Sequence, residues 1–370
     1  MLSKEEIGKM KNRISFVIGT RPNYIKAFPV YDTLNSTGLY DIEIIHTGQH
    51  YDVNVNEIFF NELGMKRPDI QFVLKSKGEC QQLTEIMTKL HESYITTKPD
   101  LIIVFGDVTS TLAGALVANK MRIKLAHVES GLRSFDLTMP EENNRIIVDS
   151  ISDYLFVTEQ AGMVNLKKSC CNGKAFFVGN TMIDTLVKFD KLSSYSENNL
   201  VNSSKNESLD NFILLTMHRQ SNVDDPTILN KIVSVLNNLA DRYLFVFPMH
   251  HRTKQKVKEL GLVFHSNIKL TEPMGYLDFM KHVKMSQLVV TDSGGIQEET
   301  SFLGIHCVTL RDNTERPSTL TVNGGSSVLS SIDQLETNII KYYGLKSTTQ
   351  IHLWDGKASE RIADIINTIF

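Results

Sequence analysis

Residues 100–130 read DLIIVFGDVTSTLAGALVANKMRIKLAHVES. Two continuous apolar runs, DLIIVFG (100–106) and KLAHVES (124–130), flank an alanine-rich helical pattern, STLAGALVANK. Short apolar strands without alternation belong to a parallel sheet covered on both faces. Strands alternating with helices of this length point to a doubly wound α/β domain. The same rhythm extends in both directions. RISFVIG (13–19) predicts a strand, followed by a helix from Pro22, and DIEIIHT (41–47), YLFVT and AFFVG continue the series. From Leu192 to Asn211 the chain turns Ser- and Asn-rich, the composition of a surface loop or interdomain segment. FILLTMH, YLFVFPMH, NIKLTEP, QLVVTDS and HCVTLRD then restart the pattern. The expectation is α/β: two doubly wound Rossmann-like domains facing a cleft, 1–185 and 186–355. Open α/β sheets bind ligands beyond the carboxyl ends of their strands. Arg21, Asp107, Glu129, His218, His250 and Ser293 all follow predicted strand ends.

Bulk properties exclude several classes. The 370 residues are 41% hydrophobic and 22% charged, as in a globular protein. A net charge of −3 gives no electrostatic basis for nucleic-acid binding. No apolar run approaches the roughly 20 residues that span a membrane, and the start, MLSKEEIGKMKN, lacks the apolar core of a signal peptide. Cys80, Cys170, Cys171 and Cys307 show no framework spacing, so reduced thiols in a cytoplasmic protein are expected.

Chemistry-bearing residues gather in a few motifs. GTRPNYIK (19–26) sets Arg21 and Lys26 at a strand-to-helix junction, where they can hold an anion or position an acid. It is neither a Walker P-loop nor GxGxxG, so nicotinamide chemistry has no support there. GDVTSTLAG places Asp107 after one strand, and HVESGLRSFD places Glu129 after the next. MPEENNR adds Glu141, Glu142 and Arg145 at a helix start, with Glu141 and Arg145 four apart on one helical face. Any single acid reads most simply as a cap or surface charge. Three clusters within 40 residues suit acid–base work, because neighbouring carboxylates raise one another's pKa. HTGQH and HVE contain metal-ligand types, but no HExxH or paired CxxC occurs, so no metal is expected.

The second half offers MHRQSNVDD (217–225), PMHHRT (248–253), TDSGGIQEET (291–300) and RDNTERPSTL (311–320). His218, Arg219, Arg316 and the Gly294–Gly295 turn make an anionic-ligand pocket. The first amides of a helix lack internal partners and can cradle phosphate. Ser293 can cap that helix or donate to a phosphate oxygen. Glu298 and Glu299 fall a turn further on, where a carboxylate can accept from a ribose diol. Arg316 and His218 offset the added negative charge. A nucleoside diphosphate fits this pattern better than a bare phosphate.

In combination, GTRPNYIK, HTGQHYD, GDVTSTLAGALVA, HVESGLRSFD, MPEENNR, VGNTMID, HRQSNVDD, TDSGGIQEE, LRDNTERP and DGKASERI resemble the non-hydrolysing UDP-N-acetylglucosamine 2-epimerase family over almost the full length. The resemblance implies a GT-B-like fold whose C-terminal helix, 356–370, packs back on the first domain. It implies that Arg21, Lys26, Asp107, Glu129 and Glu141 are catalytic residues supported by Arg145. It also assigns His218, Ser293, Gly294, Gly295, Glu299 and Arg316 to UDP, and Phe279 of GYLDF to the uracil side. His218 counts with both groups.

The implied reaction is C2 epimerisation of UDP-N-acetylglucosamine by loss of UDP to a 2-acetamidoglucal and re-addition. The implied enzyme is a cytoplasmic homodimer that supplies surface-polysaccharide precursors without cofactor. The motifs do not single out a base among Asp107, Glu129 and Glu141. Asn23, Val108, Ser130 and Gln220–Ser221 depart from the family pattern, and Asp52 stands where an activator-binding glutamine is usual. The alternatives are a hydrolysing 2-epimerase, a 2-epimerase of a modified UDP-sugar, a GT-B glycosyltransferase, and a silent nucleotide-sugar sensor.

Overall fold

A computed structural model describes residues 11–49, 66–196 and 211–370. The amino-terminal tail to Met10, Asp52 and residues 197–210 of the Ser/Asn-rich stretch lie outside the described residues. That stretch starts later than its composition predicts, because a helix beginning at Thr181 runs on to Ser196. The chain divides into two compact units, Met1–Lys188 with Leu353–Phe370, and Phe189–His352.

The first unit's strands are β1 (Asn12–Ile18), β2 (Tyr40–His46), β3 (Ile70–Gln71), β4 (Leu101–Phe105), β5 (Lys124–Ser130), β6 (Tyr154–Val157) and β7 (Lys174–Phe177). Its helices are α1 (Arg21–Ser36), α2 (Glu79–Thr97), α3 (Thr109–Met121), α4 (Pro140–Ile151), α5 (Gln160–Lys168) and α6 (Thr181–Ser196). The described strands pair in parallel in the order β3-β2-β1-β4-β5-β6-β7. This is the Rossmann order with one strand appended. Every residue of β4 is buried, as its unbroken apolar run requires.

The second unit follows with β8 (Phe212–Thr216), α7 (Gln220–Val223), α8 (Pro226–Leu239), β9 (Leu244–Pro248), α9 (His251–Glu259) and β10 (Ile268–Thr271). It continues with α10 (Tyr276–Met285), β11 (Leu288–Thr291), α11 (Gly294–Leu303), β12 (Cys307–Thr309), β13 (Ser327–Leu329) and α12 (Ile332–Tyr342). The strand order β10-β9-β8-β11-β12-β13, all parallel, is again the Rossmann order. The short strands β3 and β13 carry too few apolar residues for the sequence to mark them.

The chain then returns to the first unit as α13 (Ala358–Ile369). Asp184 of α6 accepts from the amides of Ala358 (3.0 Å) and Ser359 (2.6 Å), orphan donors of the α13 start. Ile362 and Ile366 are fully buried, each contributing roughly 1.5–3 kcal/mol. The Tyr40 hydroxyl donates to Asn367 Oδ1 at 2.6 Å.

Candidate active site

In each sheet the strand order reverses at its first strand, and chemistry-bearing residues follow those strand ends. In the first unit the reversal lies between β1 and β4. Asn23, in the first turn of α1, locks the two loops together. Its Oδ1 accepts from the amides of Gly19 and Thr20 (both 3.2 Å), and its Nδ2 donates to the Phe105 carbonyl (2.8 Å). This buried amide uses both of its faces. A carboxylate could not make the second bond, which gives the Asn23 departure a physical meaning. The Val108 departure has a counterpart. Val108 is the N-cap of α3 and cannot cap, so Gln49 Oε1 accepts from the Ser110 amide (2.9 Å) and hydroxyl (2.6 Å) instead.

Glu129 is the centre of this end of the sheet. The β5–β6 ladder shifts register between Val128 and Ser130, so Glu129 is an extra, bulged residue. Its φ of +77° lies in the left-handed region, unusual for a non-glycine residue. Its buried carboxylate forms an ion pair with the buried ammonium of Lys26. Gly106 allows this approach. It has a φ of +65°, and a Cβ there would lie 3.1 Å from Lys26 Nζ and 3.3 Å from Glu129 Oε2.

Asp107 is half-buried and pairs with the buried guanidinium of Arg145. Arg145 also binds Glu142, at 2.9 Å through Nε and 2.7 Å through Nη2. Glu141 is exposed in the first turn of α4, so the face shared by Glu141 and Arg145 is not where the arginine finds its partners. The physical reason is Glu142. Its carboxylate accepts from the Ser134 amide (2.9 Å) and the Phe135 amide (3.1 Å), which draws it inward. Burial alone would raise its pKa, but the Ser134 amide and Arg145 together hold it below the usual range. Mutual repulsion of neighbouring acids, expected from the sequence, is therefore replaced here by acid–cation pairs. Arg21 is half-buried at the start of α1.

The second unit repeats the logic at β8 and β11. Asp292, fully buried, accepts from the amides of His218 (3.0 Å) and Arg219 (2.8 Å) and faces His218 Nδ1 at 3.2 Å. Burial opposes its charge, but His218 and these amides win and its pKa is lowered. His218 thus balances Asp292 rather than Glu298 or Glu299. The His250 ring lies 5.8 Å from that of His218, and its pKa is lowered to about 4 by burial and by the nearby His251, His218 and Arg252.

The Ser293 side chain makes no capping bond, and Ser293, Gly294 and Gly295 are partly exposed at the start of α11. Behind this turn, Arg316 Nε approaches Glu298 Oε1 at 3.0 Å, and its Nη1 pairs with Glu315. Arg311 holds the other Glu315 oxygen at 2.8 Å. Burial would raise the Glu315 pKa, but the two guanidiniums hold it far below the usual carboxylate range. Gly294 leaves room for this cluster, since a Cβ would lie 2.7 Å from Arg316 Nη1.

The two acids after the glycine turn therefore differ. Glu298 faces an arginine, whereas Glu299 Oε1 accepts from the Tyr276 hydroxyl at 2.9 Å. Phe279 is half-buried three residues after Tyr276, on the same face of α10. Sequence reading passed over Asn23, Tyr276, Arg311 and Glu315 as site residues, and took Asp292 only as one of the acids beside the turn. Among the described residues, no group of three or more His, Cys, Asp or Glu is arranged to hold a metal ion.

Two Rossmann-ordered parallel sheets with charged clusters at their switch points define a GT-B-like α/β protein. The chain belongs to the UDP-N-acetylglucosamine 2-epimerase family, whose model matches residues 32–367. It is 41% identical over 328 residues to a UDP-N-acetylglucosamine 2-epimerase of Methanococcus maripaludis, covering 87% of this chain and 88% of the relative. A Pseudomonas aeruginosa relative, UDP-2,3-diacetamido-2,3-dideoxy-D-glucuronate 2-epimerase, is 37% identical, with 96% and 99% covered. The fold superposes with a TM-score of 0.87 on a crystal structure of Methanocaldococcus jannaschii UDP-GlcNAc 2-epimerase in complex with UDP-GlcNAc and UDP. That protein is 38% identical, with 96% and 99% covered.

Proposed function

We propose that this protein interconverts UDP-N-acetylglucosamine and UDP-N-acetylmannosamine without releasing free sugar. The C2 proton of the substrate is not beside a carbonyl and resists direct removal. Cleavage of the C1–O bond carries its electron pair to UDP and gives C1 oxocarbenium character, which acidifies C2. A carboxylate then takes the C2 proton, leaving a 2-acetamidoglucal. Protonation of C2 from the opposite face and re-addition of UDP at C1 complete the inversion. Two acid–base groups are needed, drawn from Asp107, Glu129 and Glu141.

The observation that carries this reading is the bulged Glu129 against Lys26. An adjacent ammonium offsets the cost of burying a carboxylate at the strand end where the substrate is expected. Arg21 and His218 are assigned to the charge of the departing diphosphate. Ser293, Gly294 and Gly295 are assigned to phosphate, Glu299 to the ribose diol, Phe279 to uracil and Arg316 to the pocket wall. The same reading carries a cytoplasmic homodimer whose product feeds surface-polysaccharide synthesis. Among the described residues no helix is long and apolar enough to cross a membrane.

The test is NMR of the protein with UDP-N-acetylglucosamine in D2O, with and without EDTA. The expected result is a mixture of the two UDP-sugars carrying deuterium at C2, unaffected by EDTA. Accumulation of free N-acetylmannosamine would establish the hydrolysing reaction instead. A second substrate has specific support, since the 37% identical Pseudomonas aeruginosa relative is named for a diacetamido-glucuronate sugar. Turnover of that UDP-sugar in preference to UDP-N-acetylglucosamine would select it.

A further inference from the structure

His127 lies on β5 two residues before Glu129 and is fully buried. Its Nε2 stands 2.8 Å from the Gly106 carbonyl oxygen, and its Nδ1 stands 2.8 Å from Asp149 Oδ1. A carbonyl only accepts, so Nε2 carries a hydrogen. The other oxygen of Asp149 accepts from Arg133 Nη1 (2.6 Å) and from the Gly131 amide (3.1 Å). The ring thus bridges the Gly106 carbonyl on one side and Asp149 on the other. Charged groups beside this network include Asp149 of α4 and Arg133 of the loop after β5, with the half-buried Cys171 beyond Asp149.

The partners of this network have a pattern. Gly106 immediately precedes Asp107, and Gly131 follows Glu129 by two. Gly106, Glu129 and Gly131 all have left-handed backbones, with φ of +65°, +77° and +80°. Such conformations persist only where their surroundings over-determine them. Ser130, between the last two, also donates its hydroxyl to the His127 carbonyl at 2.8 Å.

We propose that His127, bridging Gly106 and Asp149, is a positioning residue that ties the turn bearing Asp107 to the bulge bearing Glu129. It fixes the backbone from which both project, and so sets the aim of Glu129 on Lys26. The proposal rests on the epimerase reading for its kinetic consequence only, because the bridge itself stands on the hydrogen bonds.

Two measurements test it on the full chain. In the wild-type protein with ¹⁵N-labelled histidine, the His127 Nε2 should show a protonated-type shift, as its bond to the Gly106 carbonyl requires. An unprotonated Nε2 overturns the proposal. His127→Asn retains a donor toward Asp149 and loses the Gly106 bond, while His127→Gln does the reverse. Each should lower kcat by about 10- to 100-fold, the scale of a small misplacement of a catalytic group. KM and UDP affinity should stay within about twofold, since misplacement acts on the chemical step and not on uniform binding. Near-normal kcat in both variants, or an equal loss in kcat and UDP affinity, overturns the positioning role. If either variant fails to fold, Asp149→Asn and the wild-type spectrum still decide. A wild-type protein without epimerase turnover refutes the epimerase reading instead.

Discussion

Replacing Glu129 by glycine separates what the bulge costs from what its ion pair contributes. A non-glycine residue in the left-handed region costs about 1–2 kcal/mol, so Glu129→Gly relieves strain at φ +77°. Glycine brings back roughly 0.5–1 kcal/mol through its freer unfolded chain. These two effects nearly cancel. What remains is Lys26, a buried ammonium stripped of its partner, which costs about 3–5 kcal/mol. At ~2–4 °C per kcal/mol for a unit of this size, the melting midpoint should fall by about 6–20 °C. Adding Lys26→Met removes the stranded charge and keeps an unbranched chain in the space. The double variant should return to within about 4 °C of the parent, yet have no turnover. The assay is tryptophan fluorescence during thermal melting, excited at a wavelength that tyrosine does not absorb. The chain has one tryptophan, Trp354, buried in the first unit with its Nε1 donating to the Thr158 carbonyl at 3.0 Å, so the signal reports that unit alone. A Glu129→Gly protein that melts at or above the parent temperature refutes the reasoning, as does a double variant no more stable than the single.

Glu129→Gln should lower kcat by roughly 10²–10⁴ with little change in UDP affinity, and stopped-assay kinetics beside calorimetric titration measure both. Glu299→Ala should weaken UDP by about 1.5–3 kcal/mol and 2′-deoxy-UDP by much less, because that ligand has already lost one donor; an equal loss for both ends the diol assignment. Ser293→Ala should affect both nucleotides alike. Between pH 6.5 and 4 the unfolded chain binds a proton that folded His250, with its pKa lowered to about 4, refuses. Stability should therefore fall as pH falls through that window, and His250→Asn, which keeps an N-cap for α9, should flatten the slope in calorimetry at stepped pH.

Most strands and their ends, though not their order, were open to sequence reading because parallel, doubly covered strands are continuous apolar runs. β4 and β5 are the clearest cases. The bulge was not. A one-residue insertion in a ladder leaves no trace in hydrophobic periodicity, and HVES looks like four ordinary strand residues until the β6 partner is known. The choice between Glu141 and Glu142 was hidden for a related reason. Helical spacing brings Glu141 onto the face of Arg145, but the amides that bury Glu142 belong to a loop seven or eight residues upstream. Glu298 and Glu299 were distinguishable only once Arg316 and Tyr276, far apart in the chain, had each approached one of them. Capping of α3 by Gln49 likewise depends on a contact 61 residues long.

The return of α13 to the first unit sets an order of events during synthesis. When Lys188 has been made, the first unit still lacks the helix that covers part of α1, and residues 189–352 must be translated first. At 5–20 residues per second that is a wait of about 8–33 s. Asp184 spends that interval without the two amides it will later bind, and the apolar surface awaiting Ile362 and Ile366 stays bare. The nascent first unit is thus a natural client for a holdase. A ribosome stalled anywhere within the second unit should leave a chain that is sticky and protease-sensitive, although its sheet is already complete.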